Sequence, residues 1–189
     1  AHKIGGPRGI GILYVQRGLP MHTTAFGGNQ ERGLRSGTEP VFLAVGMAEA
    51  VRITAAHMET DMEYAASLRE RAIEGLKREI PDAVVHAPEG GSPYILSVSV
   101  PGLPNAVSVK YLSGRRVCVS RAAACEENHT TVAPGTWRPK HPLALQAAGI
   151  PLREGKETLR ASFFHRNTPE DVDRFVAVLA QCAREMREL

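Results

Sequence analysis

The sequence is short of aromatic residues and of cysteines, and both shortages exclude whole classes of protein. Aromatic residues make up 5% of the 189 residues, so any core has to be built mainly from aliphatic side chains. The three cysteines are an odd number at irregular spacing, which excludes the disulfide framework of a small secreted domain. Free thiols indicate a reducing compartment, and we therefore expect a cytoplasmic protein.

Long apolar runs and dense blocks of one charge are also missing. We find no uninterrupted apolar run of about 18 residues and no signal-peptide pattern, which argues against a membrane protein. The net charge is +3 and is dispersed along the chain, so neither a nucleic acid nor a membrane surface is expected as a partner. The length of 189 residues predicts one large domain or two small ones, and the hydrophobic content of 43% is enough for a core.

The first eleven residues place a lysine beside a histidine and before a glycine-rich turn. Lys3 follows His2, glycines and a proline follow at 5–9, and the apolar run at 10–15 predicts a strand. A lysine amine can form a Schiff base with an aldehyde, and neighbouring glycines let a bulky ligand approach the backbone. Lys3 is therefore a candidate anchor for an aldehyde cofactor, and the alternative is a solvated lysine.

A second glycine-rich segment, residues 26–40, mixes its glycines with arginine, serine and threonine. Backbone N–H groups, hydroxyls and guanidinium groups are all donors that suit a phosphate. Phosphate binding and a solvated loop both remain open from these residues alone. Pro40 then begins a helical stretch that we expect to be buried over the densely apolar residues 41–56 and amphipathic over 58–80.

The remainder alternates short strands and helices, and we predict a domain boundary near residue 60. Strands are predicted over 83–86, 94–100, 116–120 and 157–163, and helices over 105–112, 142–148 and from Thr168 onward. Asn105 is the predicted cap of the first of these helices, and Thr168-Pro169 is a strong start signal for the last. The fold class is α/β overall, and residues 61–189 form a small α+β domain with helices on one face of a mostly antiparallel sheet.

The cysteines call for different interpretations. Cys118 lies in a strand pattern and Cys182 on the apolar face of the last helix, so both are expected to be buried. Cys125 begins a polar loop, where a thiol could be accessible and act as a nucleophile. A zinc site would have to use Cys118, Cys125, His129 and His141, whose spacing fits no zinc pattern, and we predict no metal site.

Arg160 occupies a strand position that is predicted to point inward. A buried guanidinium group needs an anion, because an unpaired charge away from water costs free energy. The anion is either a carboxylate of this chain, in an internal salt bridge, or a ligand.

Motifs in four segments resemble those of the cysteine desulfurases, fold-type I enzymes of pyridoxal 5′-phosphate. Residues 1–15 resemble the segment with the Schiff-base lysine, and 27–38 resemble the glycine-rich signature whose threonine reaches the cofactor phosphate of the other subunit. Residues 120–126 resemble the loop of the reactive cysteine, and 160–162 the Arg-x-Ser strand that binds the substrate carboxylate. The sequence departs from the family pattern at Gly5, Ala122-Ala123, Glu126 and Phe164.

The resemblance implies roles for particular residues. Lys3 would hold the cofactor with help from His2, Thr38 would bind the phosphate across a homodimer interface, Cys125 would carry a persulfide, and Arg160 would bind the substrate. The reaction would convert L-cysteine to L-alanine and pass the sulfur to an acceptor protein, as in iron–sulfur cluster assembly. Residues 1–60 would be the end of the large cofactor-binding domain.

The resemblance also implies that the chain corresponds to the C-terminal half of such an enzyme. We expect activity to need the N-terminal half, which a separate chain could supply. Two alternatives remain open: a non-catalytic desulfurase-like module that serves as an interaction surface, and a selenocysteine lyase or another β-elimination enzyme on the same scaffold.

Overall fold

Residues 1–88, 90–121 and 143–188 are described by a computed structural model of the chain. The chain divides into two compact units, Ala1–Met58 and Glu59–Leu189. One long helix, α1 (Val41–Glu79), begins in the first unit and ends in the second.

The first unit is mostly irregular before α1 begins. Its only other helical elements among the described residues are two short 3-10 turns, His2–Ile4 and Glu31–Gly33. The strand predicted over 10–15 is wrong, and Tyr14 within that run is 86% exposed. A strand needs a neighbour for its backbone donors and acceptors. The described part of this unit contains no strand that could pair with it.

The expectation that residues 41–56 are buried is also wrong. Phe42 is 77% exposed, and Ala50 is the only buried residue of α1 within the first unit. Apolar composition favours burial, but burial requires another surface to cover the helix. An 18-residue window of α1 could by length and composition cross a membrane, which the sequence analysis did not expect. Helices of water-soluble proteins can meet the same criterion, so we infer no membrane partner from it.

The second unit contains a three-stranded antiparallel sheet in the order β1-β2-β3. The strands are β1 (Val84–His86), β2 (Ile95–Ser99) and β3 (Thr158–Ser162). The helices after α1 are α2 (Asn105–Gly114), α3 (Leu143–Ala147), α4 (Leu152–Gly155) and α5 (Pro169–Arg187). Together these elements confirm the α/β class and the antiparallel sheet.

The core of this unit lies between one face of the sheet and the helices. Alternate residues of β2 and β3 turn Leu96, Val98 and Leu159 into it. The helices contribute apolar side chains at helical spacing, among them Leu68 and Leu76 of α1 and Phe175 and Leu179 of α5. Gly75 lets α5 approach α1 closely, because a Cβ atom there would lie 3.0 Å from Cγ2 of Val176.

The predicted start of the last helix is confirmed, and the predicted cap of α2 is wrong. Thr168 and Asp171 form a reciprocal capping box at the start of α5. At α2 the capping position is Pro104, and the Asn105 side chain has a different role. Its Nδ2 atom donates to the carbonyl oxygens of Gly155 and Thr158, at 3.1 Å each. Asn105 therefore ties α2 to the end of α4 and the start of β3.

The strand predicted over 116–120 is replaced by an irregular segment. Arg116 has a φ of 62°, a left-handed conformation that interrupts an extended strand. Only Ser120 pairs with the sheet, in an isolated bridge to Arg160. Residues 116–120 are therefore joined to the sheet only through Ser120.

Candidate cofactor and substrate site

His2 and Lys3 lie in the short turn that precedes α1, and both side chains are exposed. Gly6 lets the turn pack closely, because a Cβ atom there would lie 2.8 Å from Cβ of Ala1 and 3.2 Å from Cβ of Ala50. Ala50 is the buried residue of this part of α1. The glycine-rich sequence therefore seats the turn on α1 and leaves the Lys3 amine accessible.

The segment leading to Thr38 is held in shape by its own side chains. Ser36 Oγ donates to the carbonyl of Phe26 at 3.0 Å, and Gln30 Oε1 accepts from the Gly37 backbone N–H at 3.1 Å. Arg32 adopts a φ of 59°, the left-handed region that costs a side-chain-bearing residue free energy. Thr38 follows this segment with an exposed side chain. The Thr38 hydroxyl is thus accessible to an anion at the end of a loop that its own hydrogen bonds order.

Arg160 lies on β3 and is flanked by backbone on both sides. It pairs with Ser97 of β2, and on the other edge it exchanges two backbone hydrogen bonds with Ser120, of 2.7 and 3.1 Å. The side chain is half-buried, and its Nε atom is buried without a hydrogen-bond partner among the described residues. No carboxylate in the described ranges forms an ion pair with it. An orphaned guanidinium donor is suited to an anionic ligand.

The structure separates Cys118 from Cys182 by their surroundings. Cys125 lies outside the described residues, as do His129, His141 and the departures at 122, 123 and 126. Cys118 is exposed, so the expectation that it is buried is wrong, because the strand that would have buried it does not form. Cys182 is buried on α5 as expected, and burial raises the pKa of its thiol.

Thiol labelling of a Cys125→Ser variant would test this difference, because only Cys118 and Cys182 then remain. We expect Cys118 to react rapidly in the native protein and Cys182 to react only after unfolding, since burial both shields that thiol and lowers its thiolate fraction. Peptide mapping after timed quenching would measure both rates. If Cys182 in the native protein were labelled as fast as Cys118, the assignment of Cys182 to the core would be contradicted.

A polar cluster on the sheet was missed by the sequence analysis. His86 Nε2 lies 2.7 Å from Ser99 Oγ and 3.2 Å from Glu154 Oε1, and Ser99 Oγ lies 2.7 Å from Thr158 Oγ1. Ser99 and Thr158 are 0% and 1% exposed. The alternation of serine with apolar residues along β2 was a signal that one face is polar, but no sequence signal linked it to His86.

The donors of the first unit suit a phosphorylated aldehyde, and the donor of the second unit suits the carboxylate of an amino acid. Lys3 offers an accessible amine, Thr38 an accessible hydroxyl, and Arg160 an unpaired guanidinium nitrogen. His2, Lys3 and Thr38 belong to the first unit and Arg160 to the second. Within the described residues no group of three or more histidine, cysteine or acidic side chains could hold a metal ion.

Known proteins with similar sequences and structures cover the whole chain. The chain is 31% identical over 190 residues to a cysteine desulfurase of Nostoc sp. and 30% identical over 192 residues to the cysteine desulfurase IscS of Clostridium botulinum. It spans 45% and 46% of the lengths of these relatives. A solved structure of a NifS-like protein matches with a TM-score of 0.79 and 31% identity, over all of this chain and 45% of that one.

The match to a family model agrees with these relatives. The model described as Aminotransferase class-V covers residues 1–175, which include Lys3, Thr38, Cys125 and Arg160. Class-V aminotransferases and cysteine desulfurases depend on pyridoxal 5′-phosphate. The chain belongs to the aminotransferase class-V family.

Proposed function

We propose that this chain acts, within a complete class-V enzyme, in the desulfuration of L-cysteine to L-alanine. The observation that carries the proposal is the buried Nε of Arg160, which has no hydrogen-bond partner among the described residues. A substrate carboxylate is an anion that such a donor binds. The names of the relatives, cysteine desulfurases at about 30% identity, support cysteine as the substrate. The departures at Gly5 and Phe164 leave Lys3 and Arg160 themselves in place.

The proposed cofactor contacts come from the first unit. Lys3 would hold the aldehyde carbon covalently, and His2 beside it would help to orient the cofactor or the substrate. Thr38 would donate to the phosphate of the cofactor bound by the partner subunit, which implies a homodimer with shared sites. When bound, pyridoxal phosphate supplies an electron sink for the substrate Cα.

The proposed chemistry assigns one task to each reactive side chain. Arg160 would bind the substrate carboxylate and fix the orientation of the amino acid. Lys3 would move the Cα proton once the substrate amine has replaced it on the cofactor. The Cys125 thiolate would attack the substrate sulfur, so that an S–S bond forms, the Cβ–S bond breaks, and the Cβ carbon is protonated to give alanine.

The proposed persulfide on Cys125 determines what kind of protein can accept the sulfur. Its outer sulfur is transferred to a nucleophile, so the acceptor would be a protein thiol or a protein that assembles iron–sulfur clusters or thio-cofactors. A persulfide survives only where thiols are not oxidised, and we therefore propose the cytoplasm as the location. Equal or faster turnover of selenocysteine would instead favour a selenocysteine lyase.

Borohydride reduction after addition of pyridoxal phosphate tests the central assignment. With the N-terminal half supplied, we expect a visible absorption band that reduction abolishes, and a label that peptide mapping places on Lys3, because only a lysine bound to the aldehyde is reduced. Lys3→Arg should show no band, and the control Lys77→Arg, at an exposed site on α1, should behave as the parent. A label on another lysine, or no band at all, would contradict the proposal.

A further inference from the structure

The second face of the sheet, opposite the core, carries a row of polar side chains that includes Arg160. Because strand neighbours alternate between faces, the residues paired across the three strands share a face. His86 pairs with Ser97, and Ser97 pairs with Arg160. In the adjacent row Ser99 pairs with Thr158. His86 and Arg160 therefore lie at opposite ends of one row, beside a row that contains two buried hydroxyls.

Hydrogen bonds join these rows into one chain that crosses all three strands. It runs from His86 Nε2 to Ser99 Oγ at 2.7 Å, on to Thr158 Oγ1 at 2.7 Å, and then to the carbonyl oxygen of Glu154 at 2.8 Å. Glu154 belongs to α4, the short helix before β3. We call these four residues the His86 relay.

Counting protons fixes the direction of the relay. The Glu154 carbonyl can only accept, so the single hydroxyl proton of Thr158 is used there. The Ser99 proton must then be donated to Thr158, and Ser99 can only accept from His86. The Nε2 atom of His86 therefore carries a hydrogen. In the reverse direction Thr158 would donate to Ser99, and Ser99 would donate to Nε2 of His86. The Glu154 carbonyl would then lose its hydrogen bond from Thr158.

The carboxylate of Glu154 gives an independent reason for the same tautomer. Its Oε1 atom lies 3.2 Å from Nε2 of His86. If Nε2 carried no hydrogen, its lone pair would face the carboxylate oxygen at that distance and be repelled. An N–H group at Nε2 is attracted to the same oxygen. The side chains of His86 and Glu154 are 17% and 30% exposed, so water screens this interaction only in part.

We infer that His86 is a positioning residue for Arg160, an inference that rests on the proposed role of Arg160 in binding the substrate carboxylate. The relay fastens β1 and β2 to Thr158, two residues before Arg160 on the same strand face. On its outer edge β3 pairs with one described residue, Ser120, in an isolated bridge. Without the His86 donor, the buried hydroxyl of Ser99 loses that partner, and Thr158 at the start of β3, which Ser99 contacts, can shift as Ser99 finds another.

A small displacement of Arg160 should weaken binding of the carboxylate more than it slows the later chemistry. We therefore expect His86→Ala to raise the KM for L-cysteine about tenfold and to change kcat less than about twofold. His86→Gln, whose amide keeps an N–H donor, should restore much of the affinity. The matched control is Val84→Ala, on the same strand and the same face but outside the relay. It should leave KM within about twofold.

Two measurements keep the inference falsifiable. The first is steady-state kinetics of the complete enzyme with the three variants. The second is a long-range ¹⁵N–¹H correlation spectrum of the unaltered protein, with His86 assigned among its seven histidines by loss of its signal in His86→Gln. We expect the spectrum to show a hydrogen on Nε2. The spectrum does not depend on activity or on the folding of His86→Ala.

The outcomes separate this inference from the proposed function. A hydrogen on Nδ1 only, or a KM in His86→Ala equal to that in Val84→Ala, would overturn the positioning role while desulfuration stands. An inactive parent enzyme would overturn the proposed function, and the role of His86 with it. If His86→Ala does not fold, the spectrum and the KM of His86→Gln, which should lie within about threefold of the parent, decide the question.

Discussion

Replacing Cys125 with serine is expected to lower the rate of alanine formation from L-cysteine about a thousandfold in the complete enzyme. A serine hydroxyl is far less nucleophilic toward sulfur at neutral pH than a thiolate, and it cannot store the transferred sulfur as a persulfide. Alanine release under single turnover, with mass spectrometry of the protein, would measure both effects. The parent should gain the mass of one sulfur atom on the peptide that contains Cys125.

The matched control is Cys118→Ser, because Cys118 is an exposed cysteine and lies seven positions before Cys125 in the sequence. We expect that variant to retain activity within about twofold and to acquire the persulfide normally. Loss of the persulfide in Cys118→Ser, with normal turnover in Cys125→Ser, would mean that the sequence resemblance had identified the wrong thiol.

Replacing Leu179 with alanine should destabilise the second unit by about 2–5 kcal/mol. The Leu179 side chain is 0% exposed on α5, inside the core that joins α1, α5 and the sheet. The loss combines the transfer free energy of the missing methyl groups with the cost of the cavity left behind. Urea unfolding followed by circular dichroism would measure the change in the free energy of unfolding.

Leu152→Ala is the control for that experiment, since the same residue type is 40% exposed at the start of α4. We expect it to cost less than about 1 kcal/mol. Equal losses in the two variants would contradict the placement of Leu179 in the core.

Local signals in the sequence predicted the elements whose ends are set by nearby residues. Thr168 and Asp171 cap α5 within a single turn, so that start could be read from four consecutive residues. The alternation along β2 and the helical spacing along the second half of α1 depend only on which residues face the core, and both were predicted. Motif resemblance selected the candidate site residues Lys3, Thr38, Cys125 and Arg160. Their roles stay predictions.

Features that depend on packing against another strand or surface could not be predicted from local sequence signals. The run at 10–15 and the apolar start of α1 have the composition of buried elements, yet both are exposed, because the described part of the first unit offers no strand or surface to cover them. Cys118 is exposed for a related reason, since Arg116 turns the backbone out of the extended conformation that would have buried it.

The amino-acid sequence was sufficient to identify the family, the residue types able to hold an aldehyde cofactor and an amino-acid carboxylate, and the periodicities of the second unit. The three-dimensional fold was needed to show that Arg160 carries a buried nitrogen with no hydrogen-bond partner among the described residues, and that His86 lies beside Glu154. His86 on β1 and Glu154 on α4 are far apart along the chain. The antiparallel register of the sheet, with Thr158 of β3 bonded to the Glu154 carbonyl, brings their side chains to 3.2 Å. A register is set by how whole strands pack and pair, so no local pattern around either residue could reveal the contact.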